Sequence, residues 1–198
     1  MLTICLLRHG ETAYNADGNK YCGRTDIGLT EKGIQQAKRM NELLKDYTFD
    51  AIFCSPLQRA KLTAEIASGK PESVQIDDRL IEVDFGSWEG KRPAEFQAED
   101  PESWHNWLVD PALYKAGRSG ESAAQVVDRL NSFYSELLEK YDNKNILIVG
   151  HNGINRFFMT SQLGMPLRNY RKIVQDNSAL TLLTLSKEEG MNLLKLNA

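Results

Sequence analysis

Cysteine and histidine are both scarce in this chain, at three each. Cys5, Cys22 and Cys54 are too few and too scattered for a disulfide framework or a zinc motif. Cys5 and Cys54 lie inside apolar runs, where a thiol behaves as a small core residue. Long hydrophobic runs are missing: no apolar stretch approaches the roughly 18 residues of a membrane-spanning helix. The start, Met1 through Leu7 to Arg8, is too short for a secretory signal and lacks its basic region, so a cytoplasmic location is expected. A large charge of one sign is missing too. With 24 Lys and Arg against 27 Asp and Glu, the net charge of −3 argues against non-specific nucleic-acid binding through many phosphates. No Walker A, His-Glu-x-x-His or Gly-x-Ser-x-Gly pattern occurs, which removes common ATPase, zinc-protease and esterase readings.

What remains is an ordinary globular composition, 41% hydrophobic and 26% charged over 198 residues. That is enough chain for one domain, residues 1–198, with a core of its own. Short apolar runs alternate with amphipathic stretches, which specifies an α/β fold. The expected form is a three-layer sandwich, a mostly parallel sheet flanked by helices, with a small cap segment over the site. Strands are expected at Thr3–Leu7, Ala51–Cys54 and Asn145–Val149, with a terminal hairpin of Leu180–Leu185 and Met191–Leu196 at the sheet edge. Thr30 and Ser122 are read as helix N-caps, the latter in a capping box with Gln125. Ser55-Pro56 reads as an N-cap and a first-turn proline, and a further helix is expected over Ile154–Leu163. Residues 84–120 break the rhythm. They hold all three tryptophans and three of the six prolines, and read as a cap insertion with its own aromatic cluster. Trp104, Trp107, Tyr114, Arg92 and Arg118 either line a pocket or pack that cluster, and packing is favoured for most.

Two of the three histidines share a setting. Arg8-His9-Gly10 follows the first strand, and Gly150-His151-Asn152-Gly153 follows the third. Ligands of open α/β sheets bind outside the carboxyl ends of the strands, so parallel neighbours would bring both histidines to one crevice. Arg59, in the first turn after the second strand, would reach the same edge. A cationic crevice with helix N-termini after Ser55 and Gly153 suits a phosphate ester. One histidine can be a nucleophile there, since nearby arginines disfavour the imidazolium. The stretch from Cys54 to Arg59 is one residue short of a cysteine-phosphatase loop, and Pro56 removes an N–H such a loop needs. His105 is taken as structural or exposed.

Leu7-Arg8-His9-Gly10-Glu11-Thr12 with Asn15 resembles the signature of the histidine phosphatase (phosphoglycerate mutase-like) superfamily. The resemblance continues through 23–33, 55–60, 82–90 and 120–122 to Gly150-His151-Asn152-Gly153. It implies that His9 attacks phosphorus and becomes a phosphohistidine, with Arg8, Arg59 and His151 holding the phosphoryl oxygens. Asn15 and the Asn152 amide would assist, and Glu82 would serve as acid and base. Substrate contacts are expected from Arg8, Asn15, Cys22, Gly23, Arg59, Glu82, His151 and Asn152. Asn152 stands where a small residue is common, which should alter packing rather than chemistry. The compact chain and the Phe85–Gly90 block are similar to the small phosphatase branch, and Tyr21-Cys22-Gly23 to its α-ribazole-5′-phosphate phosphatases. The implied activity is phosphomonoester hydrolysis on a small phosphorylated metabolite without metal or cofactor. A phosphoglycerate mutase and a non-catalytic phospho-ligand sensor are the alternatives. No nucleic acid or membrane partner is expected, and both a monomer and a homodimer are open.

Overall fold

The computed structural model describes all residues, Met1–Ala198. Six strands form one sheet: β1 (Leu2–Arg8), β2 (Ala51–Cys54), β3 (Val74–Ile76), β4 (Asn145–Gly150), β5 (Leu180–Ser186) and β6 (Gly190–Lys195). Their order across the sheet is β3-β2-β4-β1-β5-β6. β1, β2, β3 and β4 pair in parallel, whereas the terminal hairpin adds β5 and β6 antiparallel, with β6 at the edge. The helices are α1 (Ala13–Ala16), α2 (Glu31–Leu44), α3 (Gln58–Ser68), α4 (Pro93–Glu99), α5 (Pro101–Val109), α6 (Ala123–Lys140) and α7 (Asn152–Gln162). None is long and apolar enough to cross a membrane.

The period-two alternation of a strand divides the core into two layers. Cys5 and Leu7 pack with Met40 and Leu44 of α2 and with Ala60 and Ala64 of α3. Leu2, Ile4 and Leu6 pack on the opposite face with Val126, Leu130 and Phe133 of α6 and Phe157 of α7. The architecture is therefore the three-layer sandwich. Thr30 caps α2 through a bond from the Gly33 amide, and Ser122 caps α6 in a box with Gln125.

Two helix starts differ from expectation. Ser55 does not cap α3, which begins at Gln58. The Gln58 amide is instead held by Asp26 Oδ1 at 2.9 Å, a carboxylate 32 residues earlier in the chain. Ser55 Oγ accepts from the Leu57 amide inside the connecting turn. The helix expected from Ile154 begins at Asn152, with Gly153 inside its first turn. The short edge strand β3 was not foreseen, because three residues flanked by charge carry little periodicity.

Between β3 and α6, residues 84–120 fold α4 and α5 onto the α6–α7 face. Trp88, Phe96 and Trp107 are buried in the same cluster as the sheet residues. Trp88 stacks on Phe96 at 5.0 Å between centroids and meets Trp104 and Trp107 edge-on. The tryptophans thus pack one another.

Candidate active site

β1 and β4 are parallel neighbours in register, Arg8 opposite Gly150, so the residues that follow them emerge side by side. His9 and His151 meet edge-on with ring centroids 5.1 Å apart. The turn that carries His9 lies against the start of α2. A Cβ on Gly10 would stand 2.5 Å from the Gly33 carbonyl oxygen, and one on Gly33 would stand 2.2 Å from that of Glu11. Only glycine at both positions permits this approach, which seats the His9 backbone.

The His9 ring has a defined tautomer. Nδ1 lies 2.7 Å from the Gly10 carbonyl oxygen. A carbonyl only accepts, so Nδ1 carries the proton and Nε2 keeps a free lone pair. Burial, then the Arg59 and Arg8 guanidinium groups, hold His9 well below the ordinary histidine value. The neutral ring is favoured, and burial contributes more to this than the arginines. His151 is shifted the same way, by burial, Arg59 and His9. Both its ring nitrogens are buried without a hydrogen-bond partner.

Arg8 and Arg59 are anchored by one edge each. Arg59 donates to the Gly23 carbonyl at 2.7 Å and the Thr25 carbonyl at 2.8 Å, and Arg8 to the Gln175 carbonyl at 2.9 Å. Both Nε atoms lack partners. Burial lowers Arg8 to about 10, which still leaves it charged at neutral pH. Asn15 closes a capping box with Thr12 and accepts from Asn177. Cys22 donates its thiol to the Thr25 carbonyl, and burial pushes it up to about 11, so it stays protonated at neutral pH.

Glu82 sits at the start of α7. Its Oε1 accepts from the Val83 and Ile154 amides at 2.9 and 3.1 Å, and its Oε2 from the Gly153 amide at 3.0 Å. These α7 donors, expected to face a phosphate, are already committed to Glu82. Oε1 has both lone pairs engaged, and Oε2 retains one. Gly153 makes the arrangement possible, since a Cβ there would meet Oε1 at 2.6 Å.

A cavity of about 370 Å³ opens over these groups. Arg8, His9, Asn15, Cys22, Gly23, Arg59, Glu82 and Asn152 all line it. His151 does not reach the wall and packs behind His9. Of residues 84–120, Phe85 and Pro93 reach the cavity. Arg92 pairs with Asp17 instead, and Tyr114 and Arg118 line a separate depression. Sequence reasoning missed Lys20, Tyr21, Arg156, Tyr170, Arg171 and Gln175 on the cavity wall. Arg156 stands five residues after His151 on α7, a spacing that could have flagged it. Arg171 carries no such signal.

Neutral nucleophilic nitrogen, buried cations and a carboxylate in one pocket form a phosphoryl-transfer set. The whole stretch 4–198 matches the model of the histidine phosphatase superfamily (branch 1). The chain belongs to the histidine phosphatase superfamily. Phosphoserine phosphatase 1 of Hydrogenobacter thermophilus is 33% identical over 198 residues, all of this chain and 92% of the relative. The adenosylcobalamin/alpha-ribazole phosphatase of Escherichia coli is 35% identical over 166 residues, 83% of this chain and 81% of the relative. The crystal structure of the Entamoeba histolytica phosphoserine phosphatase with 3-phosphoglyceric acid superposes with a TM-score of 0.89 at 30% identity, covering 100% of this chain and 98% of that one. As a histidine phosphatase the protein is a phosphoric monoester hydrolase, and the mutase alternative is not favoured.

Proposed function

We propose that the protein hydrolyses its phosphomonoester in two steps through a phosphohistidine on His9. The observation that carries this reading is the His9 ring, fixed through Nδ1 to the Gly10 carbonyl with Nε2 free beside Arg8 and Arg59. In the first step the Nε2 lone pair attacks phosphorus. The P–O ester bond breaks, its electron pair leaves on the ester oxygen, and Glu82 Oε2 donates a proton to that oxygen. In the second step the water oxygen attacks phosphorus, forming a P–O bond as the P–N bond breaks. Glu82 takes the water proton, and Nε2 recovers its electron pair as phosphate leaves. Arg8 and Arg59 stabilise the equatorial oxygens with preorganised, charge-assisted donors. His151, edge-on to His9 and off the cavity wall, steadies that ring rather than touching the oxygens, and Asn15, Cys22, Gly23 and Asn152 complete the substrate contacts.

Residues 84–120 serve in this reading as the cap, through Phe85 and Pro93. The substrates named for the relatives, α-ribazole phosphate and phosphoserine, bracket the size of ester proposed. Three free thiols fit the reducing cytoplasm. The test uses Glu82→Gln and single-turnover burst kinetics. General acid catalysis contributes about 10²–10⁴-fold. An alkyl phosphate needs the proton more than para-nitrophenyl phosphate does, so the burst should slow far more for the alkyl ester. Equal losses for both would remove Glu82 as the acid. Inorganic phosphate should appear in step with ester loss, whereas interconversion of 2- and 3-phosphoglycerate would establish a mutase.

A further inference from the structure

The cavity holds more positive charge than one phosphoryl group requires. Lys20, Arg156 and Arg171 join Arg8 and Arg59 on its wall, against the carboxylates Glu82 and Asp176. Lys20 is paired with Asp17 at 2.7 Å. Arg156 and Arg171 have no carboxylate within ion-pair distance; they are held by neutral groups. Arg156 Nε donates to the Tyr170 carbonyl at 2.9 Å, which leaves both its terminal nitrogens unused within the chain. Arg171 donates through Nε to the Tyr170 hydroxyl and through Nη2 to the Tyr21 hydroxyl, and its plane lies over Trp104 at 4.5 Å. Its Nη1 is left free. Burial and the neighbouring Arg171 charge both lower Arg156, as expected of two cations held near each other. Like charges kept together in a half-buried wall with donors to spare are an arrangement that an anion relieves.

The aromatic rings of the wall are occupied. Tyr21 meets Phe85 and Phe96 edge-on at 4.6 and 4.9 Å, and Tyr170 stacks on Phe157 at 4.2 Å. Charge, rather than a free flat face, is what this end of the pocket offers.

We infer that Arg156 and Arg171 form a second anion subsite, which receives a carboxylate on the leaving group of the substrate. The inference rests on the phosphatase reading and narrows it: the ester is a small phosphorylated acid. Arg156 and Arg171 determine specificity, while Arg8 and Arg59 hold the phosphoryl group common to every ester.

The test compares O-phosphoserine and 3-phosphoglycerate with O-phosphoethanolamine, α-ribazole 5′-phosphate and para-nitrophenyl phosphate, none of which carries a carboxylate. The wild type should show kcat/KM at least about tenfold higher for the two acids, the usual scale of a charge-assisted contact. Arg156→Gln and Arg171→Gln should each lose at least about tenfold more on O-phosphoserine than on O-phosphoethanolamine, mainly in KM. Arg156→Lys keeps the charge and should recover part of that selective loss, which a purely structural role would not predict. Equal losses on both esters, or a wild type that prefers α-ribazole 5′-phosphate, would overturn the subsite. Release of inorganic phosphate from any of these five esters reads hydrolysis by itself. Its presence without a carboxylate preference overturns the subsite alone, and its absence from all five overturns the phosphatase reading with it.

Discussion

Replacing Gly153 by Ala tests whether the Glu82 carboxylate must sit where it does. Gly153 lies in the first turn of α7, and its φ is not in the left-handed region, so the backbone itself tolerates alanine. Helix propensity alone would make Gly153→Ala stabilising by up to about 1 kcal/mol. The structure gives the opposite sign. The new Cβ would stand 2.6 Å from Glu82 Oε1 and 2.9 Å from Val83 Cγ2, whereas ordinary contact begins at 3.4 Å. The carboxylate must retreat by about 0.8 Å, the difference between 3.4 and 2.6. That retreat stretches the bonds from the Ile154 and Gly153 amides, now 3.1 and 3.0 Å. A hydrogen bond to a charged group contributes about 1.5–3 kcal/mol, so losing half of two such bonds removes about 1.5–3 kcal/mol. After the helix gain, the net loss is about 0.5–2 kcal/mol. For a chain of this size, that is a fall in Tm of about 1–8 °C by calorimetry. The burst on an alkyl phosphate should slow by about tenfold or more, with a smaller effect on para-nitrophenyl phosphate. A variant with raised Tm and unchanged alkyl-ester burst would refute the reasoning.

Two further outcomes follow from the same site. Burial and the arginines depress both His9 and His151 in the folded state, so below about pH 6.5 the unfolded chain binds protons that the folded one refuses. Stability should therefore fall as pH drops from about 6.5 toward 5, by up to about 1.4 kcal/mol per pH unit for each histidine, measured by urea denaturation. A flat profile across that window would contradict the assigned neutral rings. Because side-chain cations line the phosphoryl site, activity should survive excess EDTA, and a chelator-induced loss reversed by Mg²⁺ or Zn²⁺ would contradict it.

Much of this site is legible in the chain because strand ends converge. Once β1 and β4 are parallel neighbours, Arg8-His9 and Gly150-His151 have to meet. The start of α3 was not legible, because its capping carboxylate, Asp26, comes from a distant loop rather than from the adjacent Ser55. The start of α7 was obscured by Gly153, which looks like a helix breaker and is instead the space that Glu82 occupies. Arg156, Arg171 and Gln175 are ordinary polar residues locally. Only the tertiary fold turns them toward the cavity and joins Gln175 to Asn155 and Thr181 in a buried chain of hydrogen bonds. Glu82 was identified by the resemblance alone, as one acidic residue among 27.

The covalent intermediate is tested most directly by trapping it. The enzyme is mixed with phosphorus-labelled ester, quenched without acid within one turnover, and the labelled peptide is located by mass spectrometry. The account predicts one phosphoryl group on His9, stable to base and labile to acid, and no label in His9→Ala. Label that persists in His9→Ala, or that sits on Cys54 or another residue of the wild type, would contradict it.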